Sequence, residues 1–201
     1  MKKEFGVVAI MFFVLTICLG MVMAQEKPAM AQTGFSKMDT DGNGEITVVE
    51  HGAFWKGRFS ELDTNKDGKI TVDEFIEGTT KQTFKSADVD KDKTLVAQEY
   101  VAYWCGSKAK ASKDVRTKEQ VGLVADVDIN MDGKISTDEC VAIWLTHFNN
   151  MDTNKDDKVT MDEYVTYIKK RFKELDKNGD GYIVLDEYDY YWSGKGTPVI
   201  K

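Results

Sequence analysis

Cysteine, histidine and basic charge are all scarce in this chain, and each scarcity removes a class of function. Only three cysteines occur in 201 residues. Cys18 lies in an N-terminal apolar run, which leaves Cys105 and Cys140, and neither stands in a Cys-x-x-Cys redox motif. Two cysteines set no disulfide framework. In an oxidising compartment they form one bridge or remain two buried thiols, and both alternatives stay open. An enzyme working through a general base or an activated nucleophile needs a positioned constellation, and the only two histidines, His51 and His147, read as helix-surface or core residues. With 27 basic against 34 acidic residues the net charge is −7, a poor match to nucleic acid.

Long apolar runs are scarce as well. Lys2 and Lys3 lead the single one, from Phe5 to about Val22, and Val22-Met23-Ala24 offers a cleavage point before Gln25, so residues 1–24 have the outline of a secretory signal peptide. The rival is a retained membrane anchor, which needs about 20 apolar residues without a cleavage site. Lipid attachment at Cys18 is the weaker alternative, because Ile17 stands where a small residue is needed. Cleavage after Ala24 removes Lys2, Lys3 and Glu4, which takes the 27 basic and 34 acidic residues to 25 and 33 and the net charge to −8. The expected location is therefore periplasmic or secreted. Methionine also thins to Met30, Met38, Met131, Met151 and Met161, few for the methionine-rich groove of a sensor.

What the chain does have is repetition. "LDTNKDGKITVDEF", Leu62 to Phe75, returns as "MDTNKDDKVTMDEY", Met151 to Tyr164, 89 positions later. Six related segments begin at Asp39, Asp63, Asp88, Asp128, Asp152 and Asp176, spaced by 24, 25, 40, 24 and 24 residues. They form two triplets, residues 25–107 and 121–196, joined by a lysine-rich linker at 108–120 and followed by a tail at 197–201. Trp55, Trp104, Trp144 and Trp192 each lie 16 residues after the first aspartate of an outer unit, and middle units lack them. These aromatics read as core packing. Thr117 and Gln120 in the linker resemble a capping box opening a helix.

Each segment sets oxygen-bearing side chains at positions 1, 3 and 5 and a glutamate at position 12, with a backbone carbonyl available at position 7. A hard divalent cation that takes six to eight oxygens is satisfied by this set, and the bidentate glutamate favours calcium over magnesium. Glycine at position 6 permits the sharp reversal. The expected ligands are Asp39, Asp41, Asn43, Glu45 and Glu50 in loop 1, and Asp63, Asn65, Asp67, Lys69 and Glu74 in loop 2. Loop 3 offers Asp88, Asp90, Asp92, Thr94 and Glu99, and loop 4 offers Asp128, Asn130, Asp132, Lys134 and Glu139. Loops 5 and 6 supply Asp152, Asn154, Asp156, Lys158 and Glu163, then Asp176, Asn178, Asp180, Tyr182 and Glu187. Glu45, Lys69, Thr94, Lys134, Lys158 and Tyr182, at position 7, contribute their carbonyls.

These segments resemble EF-hand loops, and the likeness extends to the apolar frame. Phe35 and Met38, Phe59 and Leu62, Phe148 and Met151, and Phe172 and Leu175 precede their loops at the same two offsets. Position 8 is Ile46, Ile70, Leu95, Ile135, Val159 or Ile183, the residue that in the EF-hand family joins a short strand between paired loops. The resemblance implies an all-α fold of helix-loop-helix repeats with very short β pairings, and five or six bound calcium ions. Loop 3 departs most, with Lys93 for glycine and Val96 at position 9; loop 5 has Asp157 for glycine, and loop 6 has Val184 at position 9. Ligand carboxylates number 19 of the 33 acidic residues after Ala24, so they repel one another unless metal is bound, and metal binding is expected to couple to folding.

About 12 residues separate neighbouring loops, which suits one shared helix of about 18 Å with a loop at each end. Loop 1 is therefore expected to pair with loop 3 and loop 4 with loop 6, while the middle loops meet across the halves with Ile70 against Val159. Gly52, Gly57 and Gly78 are the points where first-half helices would break. The expected function is an extracytoplasmic, non-enzymatic calcium-binding protein, similar to bacterial-type secreted proteins with EF hands, that buffers the ion or uses it structurally. The alternative is a calcium-dependent protein interaction or sensor module with an unidentified protein partner. Secretory-pathway reticulocalbins are a second resemblance, but "TPVIK" lacks their retention signal.

Overall fold

The computed structural model describes residues 33–112, 128, 130 and 132–193. The signal peptide, the linker from residue 113 with its Thr117–Gln120 box, and the 197–201 tail lie outside the described residues.

Every helix between two loops starts and stops by the same local chemistry. The position-9 hydroxyl of Thr47, Thr71, Ser136 or Thr160 accepts the N–H of the following Glu50, Glu74, Glu139 or Glu163, and each glutamate returns to the capping residue's own N–H. The first aspartate of the next loop ends the helix: Asp63, Asp152 and Asp176 have ψ of 82°, 85° and 81° and donate their N–H to Phe59, Phe148 and Phe172. Between these signals run α1 (Gly34–Met38), α2 (Val48–Leu62), α3 (Val72–Thr79), a π-helical turn at Thr80–Phe84, α4 (Lys85–Ala87), α5 (Ala97–Cys105), α6 (Thr137–Met151), α7 (Met161–Leu175) and α8 (Leu185–Ser193). The π-turn carries the helical path on from α3 to α4, so neighbouring loops do share a helix. On α7, Tyr164, Ile168, Phe172 and Leu175 are buried at helical spacing, each worth about 1.5 to 3 kcal/mol.

Short strands join the loops two by two: β1 (Ile46–Thr47), β2 (Lys69–Ile70), β3 (Thr94–Val96), β4 (Lys134–Ile135), β5 (Lys158–Thr160) and β6 (Ile183–Val184). Their pairing overturns the sequence-based order. Ile46 lies against Ile135, Ile70 against Ile183 and Leu95 against Val159, so loop 1 pairs with loop 4, loop 2 with loop 6 and loop 3 with loop 5. No pair forms inside a half, and Ile70 does not meet Val159. The shared helices keep neighbours apart as expected, but the tryptophans of the outer units do not divide by halves. They mark instead a common centre: Trp55 stacks on Trp192 with centroids 3.7 Å apart, and Trp104 on Trp144 at 4.0 Å.

Three loop pairs thus form the corners of a three-sided frame. One side holds α2 and α8, the second α5 and α6, the third α3 and α7. The Cys105–Cys140 disulfide fastens the α5–α6 side, closing the alternative of two free thiols. Gly52 and Gly57 lie inside an unbroken α2 with open space at their Cβ positions. Gly78 serves packing: a Cβ there would stand 2.3 Å from Leu62 Cδ2. The start of the lysine-rich stretch also docks, with Gln98 hydrogen-bonded to the backbone of Ala109 and Ala111.

Candidate metal centres

The first aspartate of each loop gathers backbone donors. Asp39 accepts from Asn43 N and Gly44 N at 3.0 and 2.9 Å, Asp63 from Asp67 N and Gly68 N at 3.1 and 2.9 Å, and Asp128 from Asp132 N and Gly133 N at 3.0 and 2.8 Å. Asp152 and Asp176 repeat the pattern with Asp156, Asp157, Asp180 and Gly181. The position-3 oxygen of Asp41, Asn65, Asp90, Asn130, Asn154 or Asn178 accepts the N–H of position 5. Position 5, from Asn43, Asp67, Asp92, Asp132, Asp156 and Asp180, then accepts the N–H of Glu45, Lys69, Thr94, Lys134, Lys158 and Tyr182. These bonds curl each loop so that its early oxygens share one concave side.

The position-12 glutamates close the loops. Glu50 Oε1 accepts from Thr40 N at 2.9 Å while Oε2 accepts from Thr47 N at 3.0 Å; Glu74, Glu99, Glu163 and Glu187 bridge the same two positions, and Glu139 bridges Asn130 N and Ser136 N. The Thr47 and Thr160 backbone donors hold Glu50 and Glu163 down to about 2, and in Glu74 the upward push of burial is outweighed only by the donors of Thr71, Thr64 and Asn65 together, which bring it to the same value. Carboxylate oxygens of Asp39, Asp41 and Glu50 lie within 4.8 Å of one another, as do those of Asp88, Asp90 and Glu99. Loops with asparagine at position 3 do not bring three carboxylates that close among the described residues. Asp88 Oδ1 is buried and has no hydrogen-bond partner, because Asp92 N turns to Asp90 alone. A cation fits that orphaned oxygen, and with it the whole donor set of hard oxygens. Calcium there would supply the positive charge that converging carboxylates lack.

Sequence reasoning missed two features. Position 4 takes a left-handed backbone as well as position 6, through Gly42 and Gly179 but also through Lys66, Lys91 and Lys155 at φ near 60°. The position-7 side chains, valued only for their carbonyls, meet across the pairs: Lys134 Nζ reaches Glu45 at 2.7 Å, and Lys69 Nζ sits 4.7 Å from the Tyr182 ring centroid. That complementarity was the signal for the true pairing. In loops 1, 2, 4 and 5 position 9 is also the helix cap, visible as Thr-x-x-Glu or Ser-x-x-Glu.

A family model described as EF hand matches residues 31–50, 56–78, 125–139 and 168–188, which contain loops 1, 2, 4 and 6 complete. Loops 3 and 5 fall outside those segments. A solved structure of a homolog of programmed cell death 6 protein from Leishmania major Friedlin is 23% identical over 65% of this chain and 83% of that one, with a TM-score of 0.17, too low to bear on fold or function. No curated protein matches. The fold is the all-α EF-hand arrangement with short β pairings, and the chain carries an EF-hand calcium-binding domain.

Proposed function

We propose that this chain is an extracytoplasmic calcium-binding protein, not an enzyme, that holds five or six ions and uses them to lock its two halves together. The observation that carries this reading is the pairing itself: every loop pair takes one loop from each triplet. Ions bound at a pair therefore stabilise the joint between the halves, whereas pairs within a half would leave each half to respond alone. The Cys105–Cys140 bridge crosses the same joint and suits an oxidising compartment, in keeping with the signal-peptide outline of residues 1–24. Millimolar-class sites suffice where calcium is abundant, so structural use or buffering is favoured over a signalling swing.

Calorimetric titration of the metal-free chain with calcium is the test. Five or six ions support the reading, and fewer than four at saturation sink it. Near-ultraviolet circular dichroism of the tryptophans should collapse in excess chelator. A sensor would instead keep its packed core in chelator and gain a partner-binding surface with calcium.

A further inference from the structure

The three corners of the frame are not joined to its sides alike. Loops 2, 3, 5 and 6 are each flanked by two helices of the frame: α2 and α3, α4 and α5, α6 and α7, α7 and α8. The loop 1–loop 4 corner differs. Loop 1 is entered by α1, which has five residues and belongs to no side, and the residues ahead of loop 4 lie outside those described.

What fastens this corner is the last turn of α5. That turn ends at Cys105, before Gly106 leads the chain away at φ 88°. Helix α1 rests on it, so closely that a Cβ on Gly34 would stand 2.5 Å from the Trp104 ring. The helix leaving loop 4, α6, is bonded to it through Cys140. Both loops of the corner are thus anchored on one turn, and for loop 4 the anchor is covalent. Cys18 apart, these are the chain's only cysteines, so the other two corners have no such bond.

Cys140 also stands beside the group that closes the metal site. It directly follows Glu139, the position-12 glutamate of loop 4, and donates its N–H to the Ser136 carbonyl at 3.0 Å. Ser136 in turn donates its own N–H and hydroxyl to Glu139 Oε2 at 2.9 and 2.6 Å. Holding Cys140 therefore holds the first turn of α6, and that turn aims the carboxylate that closes the ion's shell. The Cys140 side chain lines a cavity of about 20 Å³ with Met38 at the end of α1 and the paired Ile46 and Ile135. Such a space has room for about one water, so a cysteine freed of its bond can shift among the residues that join loop 1 to loop 4.

We infer that the Cys105–Cys140 bond is a redox control on calcium at the loop 1–loop 4 corner: its reduction loosens the ions of those two loops ahead of the rest. The inference rests on the loops binding calcium, as proposed above. The reductant is a dithiol. One of its thiolates attacks a sulfur of the bridge, forms a mixed disulfide and releases the other cysteine. Its second thiolate then displaces the remaining cysteine, so two electrons pass to the bridge, the dithiol leaves as its own disulfide, and its two protons end on Cys105 and Cys140. Both cysteines are 4% exposed, and attack needs the corner to open. An ion at loop 4 opposes that opening. Linkage makes the effect reciprocal: a bond that favours calcium is a bond that calcium protects from reduction.

The test uses the unaltered chain, saturated with calcium and either oxidised or reduced by dithiothreitol, while a calcium buffer lowers the free ion in steps. The position-6 glycine amides, each bonded to the first aspartate of its loop, report the loops singly by amide NMR: Gly44 and Gly133 for loops 1 and 4, Gly68 and Gly181 for loops 2 and 6. Reduction should raise the free calcium at which Gly44 and Gly133 leave their bound positions by about tenfold, ahead of Gly68 and Gly181. Four glycines that shift together would make the bond a general staple, and four that do not shift would separate it from the sites; either result overturns the control. Fewer than four ions on the oxidised chain would instead sink the calcium reading itself, and this inference with it. The rate of reduction by dithiothreitol in excess calcium is the second measurement. Glu139→Gln should speed it about tenfold more than Glu74→Gln, which disables loop 2 instead. Equal acceleration in the two variants overturns the coupling.

Discussion

The loop 3–loop 5 pair and the other two pairs share a backbone plan but not the same chemistry. Loops 1, 2, 4 and 6 have glycine at position 6 with φ between 83° and 87°. Loops 3 and 5 place Lys93 and Asp157 there at φ 69° and 64°. Left-handed backbone costs a residue with a side chain about 1 kcal/mol or more. Both departures fall in one pair, whose ladder spans three residue couples where the others span two. Loop 3 also carries a fourth ligand carboxylate, Asp90, and Lys158 approaches Asp92 at 3.8 Å. Strain in the turns is thus offset by a longer ladder and more charge.

Breaking the disulfide brace should have the largest effect. The disulfide closes a span of 35 residues between α5, which leaves loop 3, and α6, which enters loop 5. Cys105→Ser with Cys140→Ser should lower stability by about 4 kcal/mol in the chain-entropy picture, read by urea unfolding with calcium present. Chelation should melt this variant under conditions that leave the oxidised chain partly folded.

Exchanging the turn residues sharpens the comparison. Lys93→Gly should relieve about 1 kcal/mol and tighten calcium at loop 3, and Gly68→Lys should cost loop 2 a similar amount. Calorimetry on the two variants would show opposite shifts; equal shifts of one sign would mean that backbone strain does not separate the pairs. Glu74→Gln should weaken its loop more than Glu99→Gln weakens loop 3, where four carboxylates share the ion.

Acid should weaken the frame through the two histidines that burial pushes down, His51 on α2 and His147 on α6. His147 is buried on the helix entering loop 5, its value pushed well below the usual 6.5 by burial and then by Arg171. The unfolded chain takes up that proton below pH 6.5 and the folded chain does not, so stability falls as pH drops below 6.5, by about 1.4 kcal/mol per unit, until the folded value is reached. His147→Gln should remove about half of the slope between pH 6.5 and 5, measured as Tm against pH, because His51 on α2, pushed down to about 4 by burial, contributes the rest.

Much of this was written in the sequence because loop chemistry is local. Asp39 through Glu50 can be read as a closed oxygen set without knowing anything distant, and the Thr47 and Glu50 capping box starts α2 by itself. Pairing was not legible in the same way. Every position-8 residue is an aliphatic that fits any other, so Ile70 had no reason of its own to choose Ile183. The choice came from exposed position-7 partners such as Glu45 with Lys134, worth little singly, and from tryptophans whose stacking across the halves no spacing announces. Arg58 and Arg171 were passed over because both look like ordinary solvated charges until the frame closes around them and buries them.

Methyl-resolved NMR of the calcium-loaded chain tests the cross-half frame most directly. Through-space contacts are expected between Ile46 and Ile135, between Ile70 and Ile183, and between Leu95 and Val159. Contacts of Ile46 with Leu95, or of Ile135 with Ile183, would place the pairs inside the halves and contradict it.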